Sequence, residues 1–223
     1  KRPTPEGLDY WRVNLFQMPF YTYSPGDELC HWNAWVPMDD ETTLRVSMVW
    51  NPVEPITDEY LARKAKEVGR RQYLPGGFIP QNELLPATTQ PGGAWHAVAN
   101  RSNDYLMDRE FQRTKKFCGV DGGNIGTEDL SVQEGMGAIM DRTKEHLGTT
   151  DMGVIAMRRI LQRAASAWRE EQKPPPGSQT PEAYFVRSPG FLLDKGGDWY
   201  ATARHHMMAR AGIPYANARG STR

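Results

Sequence analysis

Hydrophobic and polar residues alternate in the first third of the chain, and this two-residue period predicts β-strands. In residues 44–50 (LRVSMVW), every second side chain is large and apolar, as in a strand with one buried face. Residues 10–17, 20–23 and 31–36 are rich in aromatic and β-branched residues, which favour strands. A short acidic segment joins the runs 31–36 and 44–50, so we predict that these two strands form an antiparallel hairpin.

A period of three to four residues in the second half of the chain predicts helices. The strongest helix is predicted for about residues 150–172, where apolar residues at alternating spacings of three and four form one stripe. The stripe consists of Val154, Met157, Leu161, Ala164 and Trp168. Strands that come first and helices that follow predict an α+β domain, in which helices pack on an antiparallel sheet.

Weaker helical patterns predict four shorter helices. They lie at residues 58–68, 104–115, 128–133 and within 198–212. Thr57 and Thr127 are suitable N-caps for the first and third of these helices. Residues 74–99 show little periodicity and predict a long loop.

The charge balance and the cysteine count exclude several classes of protein. The 223 residues include 27 Lys and Arg against 27 Asp and Glu, so the formal net charge is zero. Proteins that bind nucleic acid or a membrane surface normally carry a basic excess, and we therefore expect neither partner. No apolar run is long enough to cross a membrane, and no signal-peptide core follows Lys1. Cys30 and Cys118 form no CxxC motif, so we expect a cytoplasmic protein with free thiols.

Common catalytic signatures are absent from the sequence. There is no GxSxG, P-loop, GxGxxG or HExxH motif, and no two of the five histidines have the spacing of a helical metal-binding pair. We therefore assign no catalytic residue to this chain. A basic cluster within residues 63–71 is interpreted as a solvated helix face, with a docking site for an acidic partner as the alternative.

Three motifs between residues 100 and 161 follow one another at specific separations. They read NRSNDYLMDREFQ from Asn100, EDLSVQEGMGAIMDRTKEHLGTTD from Glu128, and GVIAMRRIL from Gly153. This region resembles the C-terminal catalytic region of Rieske non-haem iron aromatic-ring oxygenases. It is similar to the alpha subunits of the branch that contains phthalate 4,5-dioxygenase and aromatic O-demethylases. The resemblance covers most of residues 10–170.

The resemblance implies a fold and a domain organisation. The fold would be the helix-grip (Bet v1/START-like) fold, with an antiparallel sheet packed on a long C-terminal helix and incomplete at the N-terminus. Residues 1–173 would form the C-terminal part of the oxygenase catalytic domain. Residues 174–223 would be an extension that packs on this domain or on a neighbouring subunit.

The resemblance also implies cofactors and partners. Such oxygenases pass electrons from a reductase through a [2Fe–2S] cluster to mononuclear Fe(II), which activates O2 to oxidise an aromatic carboxylate. Two histidines and one carboxylate bind the Fe(II) on one face. We further expect a homo-oligomer, a trimer or a double trimer, in which electrons cross between subunits.

Asp129 matches the carboxylate ligand of the mononuclear iron in this family. An acidic residue in the first helical turn after Thr127 would lie at the positive end of the helix dipole, which keeps it ionised and able to bind a cation. The alternative is that Asp129 only caps the helix. Glu134 lies five residues further on, and we expect it to support the site or the fold rather than to bind iron.

Arg12 is a candidate for substrate binding because it is the one basic residue in the first aromatic run. If it faces a cavity, its guanidinium could hold a substrate carboxylate by two hydrogen bonds. An outward-facing strand arginine is the alternative. Asp141, Arg142, Glu145 and His146 are close enough in sequence to form a buried polar cluster, in which His146 is a hydrogen-bonded core residue rather than a ligand.

The chain departs from the family pattern at its metal sites. The C-x-H and C-x2-H pairs that bind a [2Fe–2S] cluster are absent, as is the D-x2-H-x4-H pattern that supplies the iron histidines. Because the chain also begins at Lys1 rather than at methionine, we expect a fragment that is inactive alone and belongs to a parent oxygenase. The alternative function is a non-enzymatic helix-grip subunit for ligand binding or assembly, in which the redox centres have been lost.

Overall fold

The computed structural model describes residues 1–25, 29–52, 55–62, 82–90, 92–120 and 125–210. The chain divides into two compact units, which are described separately below. The first unit comprises Lys1–Ile56 with Lys144–Arg223, and the second comprises Thr57–Thr143. Within the described ranges, no helix is both long enough and apolar enough to span a membrane.

The first unit contains two antiparallel sheets. One has the strand order β3-β4-β5-β6 and the other has the order β1-β2-β7. The strands are β1 (Arg2–Pro3), β2 (Asp9–Arg12), β3 (Leu15–Gln17), β4 (Tyr21–Ser24), β5 (Cys30–Pro37), β6 (Thr43–Trp50) and β7 (Gly190–Leu193). Together with the helices below, these sheets confirm the predicted α+β class.

The predicted hairpin is formed by β5 and β6. Its register runs from Cys30 opposite Trp50 to Pro37 opposite Thr43. Asp39 shapes the turn, because its Oδ1 accepts hydrogen bonds from the backbone N–H groups of Glu41 (2.9 Å) and Thr42 (2.6 Å). This is the local turn chemistry that the acidic segment predicted.

The predicted single strand at residues 10–17 is wrong, because this run is divided between the two sheets as β2 and β3. The chain changes sheet at Val13 and Asn14. Val13 donates its N–H to the carbonyl of Pro189 (3.1 Å), and Leu15 donates its N–H to Oγ of Ser188 (3.2 Å). These two neighbouring partners, distant in sequence, bind the chain at the point where it passes from one sheet to the other.

The predicted strand at residues 44–50 is present, but its apolar face is less buried than expected. Val46 is 44% exposed and Met48 is 47% exposed. On the same face of the sheet, Ala34 and Tyr23 are buried. The difference arises because β6 is the edge strand of its sheet, and the described part of the chain covers only the inner strands of this face.

The long helix of the second half is confirmed as α3, which spans Met152–Glu171. It ends where Gln172 adopts a left-handed conformation (φ 54°), shortly before the prolines at 174–176. The predicted apolar stripe runs along it, yet no residue of α3 is buried, and Trp168 is 51% exposed. The described residues therefore do not bury the stripe. The predicted helix in the C-terminal segment is also confirmed, as α4 (Trp199–His206), with Asp198 as its N-cap.

The second unit contains α1 (Arg109–Thr114) and α2 (Ile125–Gly135). The predicted single helix at 104–115 is wrong at its start: a 3-10 turn at Arg101–Leu106 precedes α1, and Asp108 caps α1. The turn interrupts the helix because Asp104, Tyr105 and Leu106 have left-handed backbone conformations.

The remaining helix predictions have mixed outcomes. Thr127 is not an N-cap, because α2 begins two residues before it. Thr57 does act as a cap: its Oγ1 accepts a hydrogen bond from the N–H of Tyr60 (3.2 Å), and the described residues 58–62 are helical. The rest of the predicted helix and the basic cluster at 63–71 lie outside the described residues. The described parts of the loop at 74–99 contain a single bridge between Leu84 and Ala97.

Candidate functional site

Asp129 lies on an exposed face of α2. With 3.6 residues per turn, Val132 lies about one turn further along nearly the same face, and it is 69% exposed. Among the residues that the structure describes, none forms a hydrogen bond or an ion pair with the Asp129 carboxylate. This helix face thus presents an unpaired anionic oxygen donor beside an apolar side chain.

The opposite side of α2 is held by contacts with the rest of the second unit. Thr127 is buried, and its Oγ1 donates to Oδ1 of Asn82 at 3.0 Å. Glu134 is seven residues further along, nearly on the same face, and its Oε2 accepts a hydrogen bond from the Tyr105 hydroxyl at 2.9 Å. These two anchors turn the Asp129 side of the helix outward.

A third contact restrains the beginning of α2. Glu128 forms an ion pair with Lys116, and the Glu128 side chain is 23% exposed. Asp129, the next residue, points away from this pair because successive residues of a helix are separated by about 100° around the axis.

Asp129 does not cap its helix, which excludes that alternative. It is the fifth residue of α2 and therefore lies beyond the first turn. The effect of the helix dipole falls off within the first turn, so Asp129 does not lie at the dipole's positive end as the sequence predicted. The availability of the carboxylate comes instead from its exposure and its lack of a partner among the described residues.

The donor set around Asp129 fits one ligand of a shared iron site, not a complete site. Across the ranges that the structure describes, no three His, Cys, Asp or Glu side chains are grouped so that they could hold a metal ion. A free carboxylate is nevertheless the hard anionic oxygen donor that a site of two histidines and one carboxylate requires. The two histidines would have to come from outside the described residues.

Arg12 lies at the end of β2 in the first unit, and its side chain is exposed. Its Nη2 donates a hydrogen bond to the carbonyl of Pro25 at 3.3 Å. The preceding residue, Trp11, stacks on Trp199 with 5.0 Å between ring centroids. Because successive side chains of a strand point to opposite faces, these two rings lie on the other side of β2 from the Arg12 side chain. The guanidinium has one weak backbone contact, which leaves most of its donors available.

Comparison with known proteins identifies the family. A family model described as LigXa C-terminal domain like matches residues 90–214. The chain belongs to this family. Asp129, Tyr105, Glu134 and α3 all lie inside the matched range.

Two curated relatives support the assignment of the chain to this family. It is 30% identical over 202 residues to the 3-chlorobenzoate-3,4-dioxygenase oxygenase subunit of Comamonas testosteroni, covering 88% of this chain and 45% of the relative. It is 26% identical over 162 residues to the phthalate 4,5-dioxygenase oxygenase subunit of Pseudomonas putida, covering 72% and 33%. The chain thus spans less than half the length of either relative. These matches confirm that the chain corresponds to the C-terminal region of Rieske oxygenase subunits, as its motifs indicated.

The predicted buried cluster of four polar residues between Asp141 and His146 is wrong. His146, Asp141 and Arg142 are exposed. Only Glu145 is partly buried, and it forms a two-pronged ion pair with Arg158 of α3, with 2.8 Å between Glu145 Oε1 and Arg158 Nη2. The motif therefore fixes the entry into α3 through one arginine–carboxylate pair, rather than through a buried histidine.

Sequence reasoning missed the contact between Tyr105 and Glu134. Both residues lie in the quoted motifs, but they are 29 residues apart in the sequence, so helical spacing does not relate one to the other. The pair of asparagines before Tyr105 was the available signal, because Asn side chains commonly bond to nearby backbone and stabilise turns.

Proposed function

We propose that this chain is the C-terminal part of the catalytic domain of a Rieske-type aromatic-ring oxygenase, and that Asp129 is the carboxylate ligand of its mononuclear Fe(II). The observation that carries this proposal is the unpaired Asp129 carboxylate on the outer face of α2, within the range that matches the family. The two relatives, which are oxygenase subunits of aromatic-ring dioxygenases by name, support the same reaction class.

The role of this chain's residues follows from their placement. The iron, when bound, supplies the redox chemistry that joins O2 to the aromatic substrate. Asp129 contributes one anionic oxygen, and α2 keeps that oxygen oriented because Thr127 and Glu134 are anchored on the other side of the helix. The two iron histidines and the [2Fe–2S] cluster belong to the parent oxygenase outside this chain, so the chain alone is inactive.

The substrate is an aromatic carboxylate, and Arg12 binds its carboxylate group. Chlorobenzoate and phthalate, which appear in the names of the two relatives, are both aromatic carboxylates. A guanidinium can pair with a carboxylate through two parallel hydrogen bonds, which also orients the ring. The reaction is a dihydroxylation or an O-demethylation, and the electrons come from a separate reductase. The parent protein is cytoplasmic and forms a trimer or a double trimer.

The fold of the whole domain is the helix-grip fold. Two apolar surfaces of the first unit support this proposal, because each lacks full cover in the described residues. One is the face of β6 that contains Val46 and Met48, and the other is the stripe along α3. Packing of the α3 stripe against this side of the sheet would bury both surfaces.

Iron analysis of the full-length oxygenase tests the ligand assignment. Asp129→Ala is expected to lose most of the mononuclear iron, because it removes the single anionic donor of a three-ligand site. The matched control is Asp194→Ala, since Asp194 is also exposed but lies in the first unit. The measurement is iron per protomer, with the cluster iron quantified separately by its visible absorption. Unchanged mononuclear iron in Asp129→Ala would contradict the assignment.

A second candidate function is ligand binding without catalysis. The first unit has a wide-open surface depression of about 440 Å³. It is mainly apolar and is lined by Trp50, Pro52, Glu182, Phe185, Ala209 and Arg210. Titration of the purified protein with benzoate and phthalate, in the presence and absence of Fe(II), separates the two functions. If the protein binds benzoate or phthalate, holds no iron and consumes no O2, the binding-subunit function is favoured.

A further inference from the structure

Tyr105 connects the Arg101–Leu106 turn to the helix that contains Asp129. We propose that Tyr105 is a positioning residue, which sets the rotation of α2 about its axis through the hydrogen bond to Glu134 and so orients the Asp129 carboxylate. The inference rests on the proposed role of Asp129 as an iron ligand. It adds to that role a residue that never touches the metal.

The geometry gives Tyr105 control over the rotation of α2. Tyr105 is 5% exposed, and its hydroxyl lies 2.9 Å from Oε2 of Glu134. Glu134 and Thr127 are seven residues apart on one face of α2, so their two hydrogen bonds hold this face toward the rest of the second unit. Because a helix with its side chains is about 10 Å wide, a 20° rotation would move a carboxylate at its surface by about 2 Å.

The motif that contains Tyr105 is built to hold this side chain in place. Asp104, Tyr105 and Leu106 have φ values of 53°, 56° and 55°, a left-handed conformation that residues with a Cβ rarely adopt. Asn100 and Asn103 stabilise the turn. The Asn100 side chain accepts a hydrogen bond from the N–H of Ser102 (2.9 Å), and the Asn103 side chain accepts one from the N–H of Asn100 (2.9 Å).

Two further contacts secure the turn on either side of Tyr105. Asp104 forms an ion pair with Arg109 of α1, and the Asn103 amide donates to the carbonyl of Val98 at 2.7 Å. Strained backbone conformations of this kind persist only where several surrounding contacts hold them in place. Here they direct one aromatic hydroxyl to the end of α2.

The protonation of Tyr105 suits a permanent donor. Burial, together with the hydrogen bond and the charge of Glu134, raises the pKa of Tyr105 to about 12. The hydroxyl therefore keeps its proton and remains a donor throughout the neutral range.

The test uses variants of the full-length oxygenase and two readouts other than turnover. Tyr105→Phe removes only the hydroxyl and is expected to weaken Fe(II) binding about tenfold, the lower end of the effect of residues that orient metal ligands. The Fe(II) dissociation constant is measured by chelator competition. The absorption spectrum of the Co(II)-substituted protein reports the ligand geometry and is expected to change as well.

Glu134 supplies the matched pair of variants. Glu134→Gln keeps a carbonyl oxygen that can accept the Tyr105 hydrogen bond, so it should bind Fe(II) like the wild type. Glu134→Ala should resemble Tyr105→Phe, and the double variant should be no worse than either single variant, because both remove one contact. Glu134 is exposed, so Glu134→Ala keeps the test valid should Tyr105→Phe fail to fold. Tyr200→Phe, at an exposed tyrosine of the first unit, is the control and should change nothing.

The outcomes separate this inference from the proposed function. If Asp129→Ala loses the mononuclear iron while Tyr105→Phe and Glu134→Ala keep the wild-type affinity and Co(II) spectrum, the positioning role is wrong and the ligand assignment stands. A lower melting temperature with unchanged metal binding would likewise show a merely structural role. Wild-type iron binding by Asp129→Ala would overturn both proposals.

Discussion

At the scale of single residues, the environment of a side chain decides its chemistry more than its type does. Cys30 and Cys118 are both free thiols, but Cys30 is 1% exposed whereas Cys118 is partly exposed. Burial raises the pKa of Cys30 to about 11, and the nearby Arg187 guanidinium offsets only part of this rise. Since the thiolate is the reactive form, Cys30 should be inert under ordinary conditions.

We predict that iodoacetamide at pH 8 modifies Cys118 well before Cys30, as measured by peptide mapping of the native full-length protein.

The burial of Cys30 also predicts a pH dependence of the free energy of unfolding. In the unfolded chain the Cys30 thiol ionises near its ordinary value of about 8.5, so stability falls as the pH rises above that value toward 10. Cys30→Ala should reduce this slope, as measured by chemical denaturation at a series of pH values. Equal alkylation of Cys118 and Cys30 in the native protein would refute the iodoacetamide prediction.

At the scale of secondary-structure elements, the Arg101–Leu106 turn stores strain that a substitution can release. Leu106 is 61% exposed and has a φ of 55°. We predict that Leu106→Gly raises the free energy of unfolding by about 0.5–1 kcal/mol. The reason is that a left-handed conformation costs a residue with a Cβ roughly 1–2 kcal/mol, more than the entropy that glycine adds to the unfolded chain. Chemical denaturation measures the change.

The control for Leu106→Gly is a glycine placed where the backbone is regular. Ala156 is an exposed residue of α3, so Ala156→Gly should lower the free energy of unfolding by about 1 kcal/mol. A comparable loss in Leu106→Gly would mean that the turn is not strained.

The elements that local patterns determine were predicted from the sequence, and those that depend on distant partners were not. The β5–β6 hairpin follows from the alternation in residues 44–50 and the Asp39 turn, both of which are local. The division of residues 10–17 depends on Ser188, which is 173 residues from Leu15. In the candidate site, the motif alone was enough to propose Asp129, but the orientation of Tyr105 depends on a left-handed backbone that bulky residues seldom adopt.

At the scale of the whole molecule, the proposed helix-grip fold makes a prediction about Met48. In the described residues Met48 is 47% exposed and Met38, in the turn after β5, is 58% exposed. If α3 packs on this side of the sheet, Met48 becomes covered while Met38 stays accessible. Because oxidation of methionine follows exposure, peroxide should oxidise Met48 several-fold more slowly than Met38 in the full-length protein, as followed by mass spectrometry of peptides.

A pair of substitutions in α3 tests whether this helix provides the cover. Leu161 belongs to the apolar stripe, and the next residue, Gln162, is exposed. Leu161→Asp should accelerate oxidation of Met48 because a charge cannot be buried against the sheet without a partner. Gln162→Asp adds the same charge on another face of α3 and should leave the rate unchanged. Equal oxidation of Met48 and Met38 in the unmodified protein would contradict the helix-grip packing, because the β6 face would then be uncovered.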